Sequence, residues 1–211
     1  MRLLLSLLLA ACLLGCKGAP APSPSPAPRP SAPTTPPAAV APAPAYAPPT
    51  AAQIAAARKE GPMKVTLTTD KGDIVLQLDG AAAPETTANF ENLVESGFYD
   101  GLAFHRVEPG FVIQAGNPVL AGRPPVAYTI PEEKSPLTHI KGALAMALLY
   151  RGGQKVPNSA STEFYITLAP PPHLDPLGFT VFGKVVAGMD VVEKIAKDDV
   201  IRKATLAPAA K

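Results

Sequence analysis

The sequence predicts a mainly β domain, a closed antiparallel barrel or a sandwich, with helices covering its openings. Three observations predict it. From residue 61 onward, short apolar runs alternate with Gly, Pro, Asn and Asp turn signals. Only two stretches of that region have helical spacing, one early and one late, and no internal repeat is visible. The region is about 150 residues long, which suits one compact domain.

The elements ahead of that domain are of a different kind. The chain of 211 residues begins MRLLLSLLLAACLLGCKG. One positive residue, Arg2, precedes an apolar run from Leu3 to Leu14. That run is short for a hydrocarbon layer of about 30 Å, which takes about 20 residues, and it has the length of a signal-peptide core. It ends in Leu13-Leu14-Gly15-Cys16, which resembles a bacterial lipobox. The resemblance implies a signal peptide over 1–15, cut before Cys16, which becomes the lipidated first residue. Cys12, the only other cysteine, would leave with the signal, so the mature domain would have no cysteine for a disulfide, zinc knuckle or thiol nucleophile. Residues 16–60 read as a tether. Thirteen of the 33 residues from Gly18 to Thr50 are proline, too polar and stiff a composition to offset ordering entropy by burial. An extended, partly polyproline II spacer reaches on the order of 100 Å, at about 3.1 Å per residue. Thr50 to Glu60, TAAQIAAARKE, is a possible short helix before Gly61-Pro62 stops it.

The domain is expected over 61–206, with a tail at 207–211. MKVTLTT (Met63–Thr69) and DIVLQLD (Asp73–Asp79) show strand alternation around an Asp70-Lys71-Gly72 turn. Pro84 opens a helix with Glu85 in its first turn; Phe90, Leu93 and Val94 share a face, and Gly97 closes it. FHRVEPGFVIQAGNP (Phe104–Pro118) is an apolar hairpin about Glu108-Pro109-Gly110, in which Pro presets one turn angle and Gly supplies the positive φ of a type II turn. GALAMAL (Gly142–Leu148), EFYITL (Glu163–Leu168) and FTVFGKVV (Phe179–Val186) read as strands. A second helix is expected from Met189 to Lys197, with Val192, Ile195 and Ala196 inward.

Charge and motifs exclude several functions. From Gly61 on, 14 Lys+Arg face 16 Asp+Glu, so the domain carries −2 while the whole chain carries +2. No basic stripe or aromatic-plus-basic pattern is present, so nucleic acid is not an expected partner. There is no GxSxG elbow, no Gly-rich phosphate loop and no HExxH. His105, His139 and His173 share no ligand spacing, so neither a metal nor another cofactor is expected, and His105 reads as a hydrogen-bonded structural residue. Any activity must work without a nucleophile, a tuned acid or a metal. The anomaly that remains is Arg106 and Gln114, two polar side chains in an apolar hairpin.

FHRVEPGFVIQAG, then GALAMA, NSASTEFYITL, HLD and VFGKVVAGMDVVEKI, resembles a cyclophilin-type peptidyl-prolyl isomerase across about Met63 to Ile201. The resemblance implies a closed eight-stranded antiparallel barrel capped by two α-helices, and catalysis of X-Pro isomerisation. It implies that Arg106 donates to the prolyl nitrogen, that Gln114 holds the arginine and the substrate backbone, and that Phe111 forms the floor of the proline pocket. Val112, Tyr165 and Leu174 would be its walls. Ala147 and Leu148 would line the groove for the residues before proline, partly through backbone groups. Glu163, His173 and Phe179 complete the expected substrate contacts. Three of these positions depart from the common pattern: Glu163 stands where many members have Gln, Leu148 where many have Asn, and His173 where many have Trp. Glu163 is expected to pair with Arg106 or to favour basic peptides. The loop from Leu149 to Pro157 also differs and is expected to alter the groove's edge.

The expected partners are proline-containing segments of exported proteins and a membrane, through lipid on Cys16. A monomer is expected, placed on the periplasmic side of a bacterial envelope. Lys17 rather than Asp after Cys16 favours an outer membrane by resemblance to bacterial lipoproteins. The alternative is a non-catalytic module of the envelope that binds proline-containing peptides or acts as a chaperone.

Overall fold

The structure is a computed structural model in which residues 46–59 and 61–208 are described. The expected signal peptide, Cys16 and most of the tether lie outside the described residues. Helix α1, Ala51–Lys59, begins with a reciprocal cap: Gln53 N–H donates to Thr50 Oγ1 (3.3 Å) and Thr50 N–H to Gln53 Oε1 (2.9 Å). It belongs to the packed body. Ala57 is buried, Gln53 donates to Asn92, and a Cβ at Gly80 would lie 1.9 Å from the Ala57 carbonyl.

Strands β1 (Met63–Thr69) and β2 (Gly72–Leu78) form the expected hairpin, with Val65, Leu67, Ile74, Leu76 and Leu78 buried on one face. Helix α2 runs from Pro84 to Glu95 and has no side-chain cap from Ala83. Glu133, from a distant loop, satisfies two of its first amides instead, accepting from Glu85 N–H (3.0 Å) and Thr86 N–H (2.7 Å). The hairpin β3 (Arg106–Glu108) and β4 (Val112–Ala115) turns as expected: Phe111 N–H donates to Glu108 O (2.9 Å), and Gly110 has φ +73°. Then follow β5 (Ala143–Met146), a small hairpin of β6 (Tyr150–Arg151) and β7 (Gln154–Lys155), β8 (Phe164–Thr167), β9 (Val181–Ala187), α3 (Met189–Val192) and β10 (Ile201–Pro208).

Eight strands join one antiparallel sheet in the order β10-β1-β2-β9-β5-β8-β4-β3, with β6 and β7 apart. A single sheet rules out the sandwich. The two edges, β3 and β10, are not paired with each other, so the sheet is a half-barrel rather than the closed barrel expected. An isolated bridge between Ala103 and Val200, just ahead of the two edge strands, spans the seam. It is supported by Phe104 N–H to Asp199 O (2.8 Å) and Ile201 N–H to Leu102 O (2.9 Å).

The late helix also differs from expectation, keeping only four α-helical residues. After one turn its bonds tighten to i−3, with Lys194 N–H donating to Val191 O (2.9 Å) and Ile195 N–H to Val192 O (3.3 Å). The Ala196 amide then goes to the Asp199 carboxylate (2.6 Å), which diverts the chain outward. Val191, Val192 and Ile195 are buried, whereas Ala196 is exposed.

Both faces of half of this sheet are covered. Leu144, Met146, Phe164, Ile166, Ile113 and Phe182 point into the main core, where Phe90 of α2 meets Tyr99, Phe164 and Phe182 at ring distances of 4.9, 5.3 and 5.2 Å. The intervening residues Val112, Ala143, Ala145, Tyr165 and Val181 form a second cluster with Leu174 on the opposite face. That is why GALAMAL and EFYITL read as continuous apolar runs rather than alternating ones. Among the described residues no helix is long and apolar enough to cross a membrane.

Candidate active site

Strand register assembles the site on the outer face. Arg106 pairs with Gln114 across β3 and β4, Gln114 with Tyr165 across β4 and β8, and Tyr165 with Ala145 across β8 and β5. The four side chains therefore stand in a row, and their i±2 neighbours extend it. Val112 lies beside Gln114, and Phe111 follows the Pro109-Gly110 turn. The face opens into a groove of about 490 Å³ lined by Arg106, Phe111, Val112, Gln114, Ala147, Leu148, Leu149, Tyr150, Tyr165, Leu174 and Phe179. It is mostly apolar, with a cation and an amide at one edge, the composition of a site that orients a ligand with few polar contacts.

Arg106 is held from two sides. Its Nε and Nη2 donate to Glu108 Oε1 at 2.8 and 2.7 Å, its Nη1 donates to Gln114 Oε1 at 3.0 Å, and its guanidinium lies over the Phe111 ring at 5.8 Å. Gln114 is fixed in turn: its Nε2 donates to Glu163 Oε2 at 2.7 Å. A carboxylate only accepts, so this bond sets which end of the Gln114 amide faces the arginine. Asn117 Nδ2 donates to the other Glu163 oxygen at 2.9 Å, and His105 Nε2 lies 3.3 Å from Glu163 Oε2. Burial pushes the Glu163 carboxyl up. Hydrogen bonds from His105 and Gln114, the His105 charge and the Asn117 bond outweigh it and hold the group below its usual range.

This arrangement corrects one expectation. Glu163 pairs with Gln114, Asn117 and His105, not with Arg106, and it does not line the groove. It lines an adjoining pocket of about 250 Å³ that shares Ala147, Leu148 and Leu149 with the groove. His173 also lies outside the lining. It stacks on Phe111, with ring centroids 5.8 Å apart and planes 22° apart, and so supports the floor from outside. The Ala147 amide donates to the Glu163 carbonyl at 2.9 Å, so it is not the backbone group that meets a ligand.

The wall residue Tyr165 is held from behind. Its hydroxyl lies 2.8 Å from His139 Nε2, and His139 Nδ1 lies 2.6 Å from Asp175 Oδ1, which also accepts from the His139 amide (2.9 Å). Burial pushes the Tyr165 hydroxyl far above its ordinary range, helped by Tyr150 and Asp175 and opposed by Arg106. The His139 hydrogen bonds, from its side chain and then its backbone, hold Asp175 below the usual carboxylate range. The His139 ring thus bridges the Tyr165 hydroxyl and the Asp175 carboxylate. Phe179 stands nearly perpendicular to both rings, with centroids 5.9 Å from Tyr165 and 6.4 Å from His139.

Sequence reasoning missed Glu108, Asn117 and the His139–Asp175 pair as site residues, whereas Leu149 and Tyr150 belong to the loop expected to alter the groove's edge, and both line the groove. Glu108 was legible, because i and i+2 on a strand share a face. The others reach the site through loops whose paths leave no local signal.

Glu163 has a consequence for pH dependence. A carboxyl whose folded pKa is lowered favours the folded arrangement above its ordinary value of 4.5, and that contribution is lost only as pH falls through the lowered value. The site, read as kcat/KM, should therefore persist as pH drops through 4.5 and fail below it. Glu163→Gln should lower kcat/KM by roughly threefold to tenfold at neutral pH, because one hydrogen bond to a charged acceptor becomes an ambiguous amide pair, and it should remove the low-pH loss. A pH–rate profile of both proteins checks this. An unchanged profile in the variant would mean that Glu163 does not set the Gln114 orientation.

Residues 64–210 match the family described as cyclophilin type peptidyl-prolyl cis-trans isomerase/CLD. The chain is 43% identical over 136 residues to peptidyl-prolyl cis-trans isomerase B of Bacillus subtilis, covering 64% of this chain and 90% of that protein. Its fold is similar to the crystal structure of a cyclophilin type peptidyl-prolyl cis-trans isomerase from Cryptosporidium parvum, with a TM-score of 0.61 and 26% identity over 71% of this chain and 100% of that one. The same Cryptosporidium protein, solved in the presence of the dipeptide Ala-Pro, gives a TM-score of 0.59 and 26% identity over 68% of this chain and 98% of that one.

Proposed function

Because the chain belongs to the cyclophilin-type peptidyl-prolyl cis-trans isomerase family, we propose that its groove binds an X-Pro segment and that Arg106 accelerates rotation about the prolyl bond. The barrier, about 18–20 kcal/mol, comes from amide resonance. At the twisted transition state that resonance is lost, and the prolyl nitrogen regains a lone pair that accepts a hydrogen bond. A donor at that nitrogen binds the twisted state better than either planar state, which is the condition for catalysis. Arginine suits this because it stays charged and offers several donors. The observation that carries the reading is the Arg106 guanidinium, oriented by Glu108 and Gln114 above Phe111 at the edge of an otherwise apolar groove.

The proline ring rests on Phe111, Val112, Tyr165 and Leu174, and Gln114 holds both the arginine and the peptide backbone. Arg106 is 43% and Glu108 50% exposed. An ion pair so solvated is worth at most about 1 kcal/mol, so Glu108 can orient the guanidinium and still yield a donor to substrate. All of these groups come from one chain, so a monomer suffices. The test is cis-to-trans conversion of an Ala-Pro peptide by the full chain. Conversion well above the uncatalysed rate supports the enzyme. A well-folded protein that binds the peptide without converting it would move the reading to the non-catalytic peptide-binding module.

We further propose that the protein works at a bacterial envelope on exported chains, with a signal peptide over 1–15, lipid on Cys16 and residues 16–60 as the spacer. The support is the lipobox-like Leu13-Leu14-Gly15-Cys16 and the proline content that follows it. Labelled palmitate should enter the wild-type protein and not Cys16→Ala. Label in the variant, or none in either, would reject the anchor.

A further inference from the structure

Leu149 and Tyr150 are each 52% exposed, and both line the groove, where they directly continue the Ala147–Leu148 segment. Single exposed apolar residues are ordinary. Two adjacent ones at the mouth of an apolar groove, on a separate hairpin, are not accounted for by the fold. We propose that Leu149 and Tyr150 form an apolar lip that grips the side chain of the residue immediately before the proline, selecting an apolar or aromatic residue there. This rests on the isomerase reading above, in which Ala147 and Leu148 face the residues ahead of the proline.

The lip is preorganised. Gly152 and Gly153 have φ of +58° and +79°, the pattern of a type I′ turn, whose twist matches a two-residue hairpin. Tyr150 pairs with Lys155 and Arg151 with Gln154. Val156 N–H donates to Leu149 O (2.8 Å), and Leu149 N–H donates to Ser159 Oγ (2.9 Å). An isolated two-stranded hairpin is marginal in water, and Lys155 clamps this one to the opposite wall. Its ammonium donates to Glu132 Oε2 (2.5 Å) and Leu177 O (2.7 Å), and it lies over the Phe179 ring at 5.9 Å. Lys155 and Glu132 are only 24% and 18% exposed. Little ordering therefore remains when a ligand side chain arrives, so contact area there converts to affinity more fully than on a floppy loop.

Charge adds a sign to the preference. Three cations border the lip: Arg151, next in the chain, Lys155, paired with Tyr150 across the hairpin, and Arg106 in the same groove. The anions Glu132 and Glu108 are engaged by Lys155 and Arg106, and Glu163, in the pocket that adjoins Leu149, is engaged by Gln114, Asn117 and His105. A basic residue before the proline meets like charge and gains no partner.

The experiment compares kcat/KM for Ala-Xaa-Pro-Phe peptides, with Xaa as Ala, Leu, Phe or Lys, using the full chain and its Tyr150→Ala and Tyr150→Phe variants. Wild type should prefer Phe and Leu over Ala by roughly fivefold to tenfold, a tenfold ratio being about 1.4 kcal/mol, and should use Lys least. Tyr150→Ala should compress the Phe/Ala ratio toward one, and Tyr150→Phe should keep it. A flat wild-type series, a ratio that survives Tyr150→Ala, or a preference that instead follows the residue after proline would each overturn the proposal. Dissociation constants for the same peptides, measured by calorimetry, carry the same ratios. They read the lip even if turnover is nil, the outcome that would reject the isomerase reading by itself.

Discussion

Arg106→Ala should lower kcat/KM for an Ala-Pro peptide by about two to three orders of magnitude. Each tenfold is about 1.4 kcal/mol of transition-state stabilisation, and one charge-assisted donor aimed at a developing lone pair is worth about 3–4 kcal/mol in a preorganised site. The fold should survive, since Arg106 is 43% and its ion-pair partner Glu108 50% exposed. Most of the loss should fall in kcat, because the apolar floor that binds the proline ring is untouched. Arg106→Lys should recover only part of it. An ammonium cannot reproduce the fork that holds Glu108 and Gln114 while offering a further donor to substrate. Steady-state isomerisation with a parallel urea titration checks this. A variant within threefold of wild type at unchanged stability would remove Arg106 from the mechanism and leave groove binding as the source of any acceleration.

Phe90→Ala should destabilise the domain by about 3–5 kcal/mol, a large part of the roughly 5–15 kcal/mol that holds such a domain together. Phe90 is fully buried and is the ring on which α2 meets the sheet. It touches Phe164 of β8 edge-on at 5.3 Å and Phe182 of β9 at 5.2 Å. Those strands carry Tyr165 and Val181 on their other face, so the cavity sits directly behind the proline pocket. With no cysteine among residues 61–208, no disulfide shares the load. A lowered urea midpoint with an unchanged slope would report the loss, and Phe90→Leu should cost less, because less of the cavity opens. A shift below about 1 kcal/mol would mean that this aromatic cluster does not carry the packing between helix and sheet.

The sequence made much of the frame legible, because its signals act over a few residues. Alternation in MKVTLTT and DIVLQLD fixes a face for each strand, and Glu108-Pro109-Gly110 carries its own turn angles, realised as φ +73° at Gly110. Pro84 marks the start of α2. Arg106 and Gln114 stood out as polar residues without an apolar reason, and the resemblance implied a role for them. The late helix was over-read because its apolar spacing continues past Val192 while the Asp199 carboxylate takes the Ala196 amide.

By itself, then, the sequence determined most of the strands, though not β10 or the β6–β7 hairpin, together with the turns, the apolar faces and the two side chains that break the apolar pattern, since each depends on spacing within one element. Only the tertiary structure decided which face of the sheet became the groove, because both faces of β4, β5 and β8 are apolar and strand register alone sets Arg106, Gln114 and Tyr165 in one row. It also decided the partners. Gln114 and Glu163 are 49 residues apart, and His139 and Asp175 are 36 apart. No local periodicity reaches over such distances, and those bonds exist because loop paths bring donors and acceptors together at the edge of a packed sheet. The same holds for the seam between β3 and β10, left open as a half-barrel where the sequence suggested closure, and for the hairpin that Lys155 pins beside the groove.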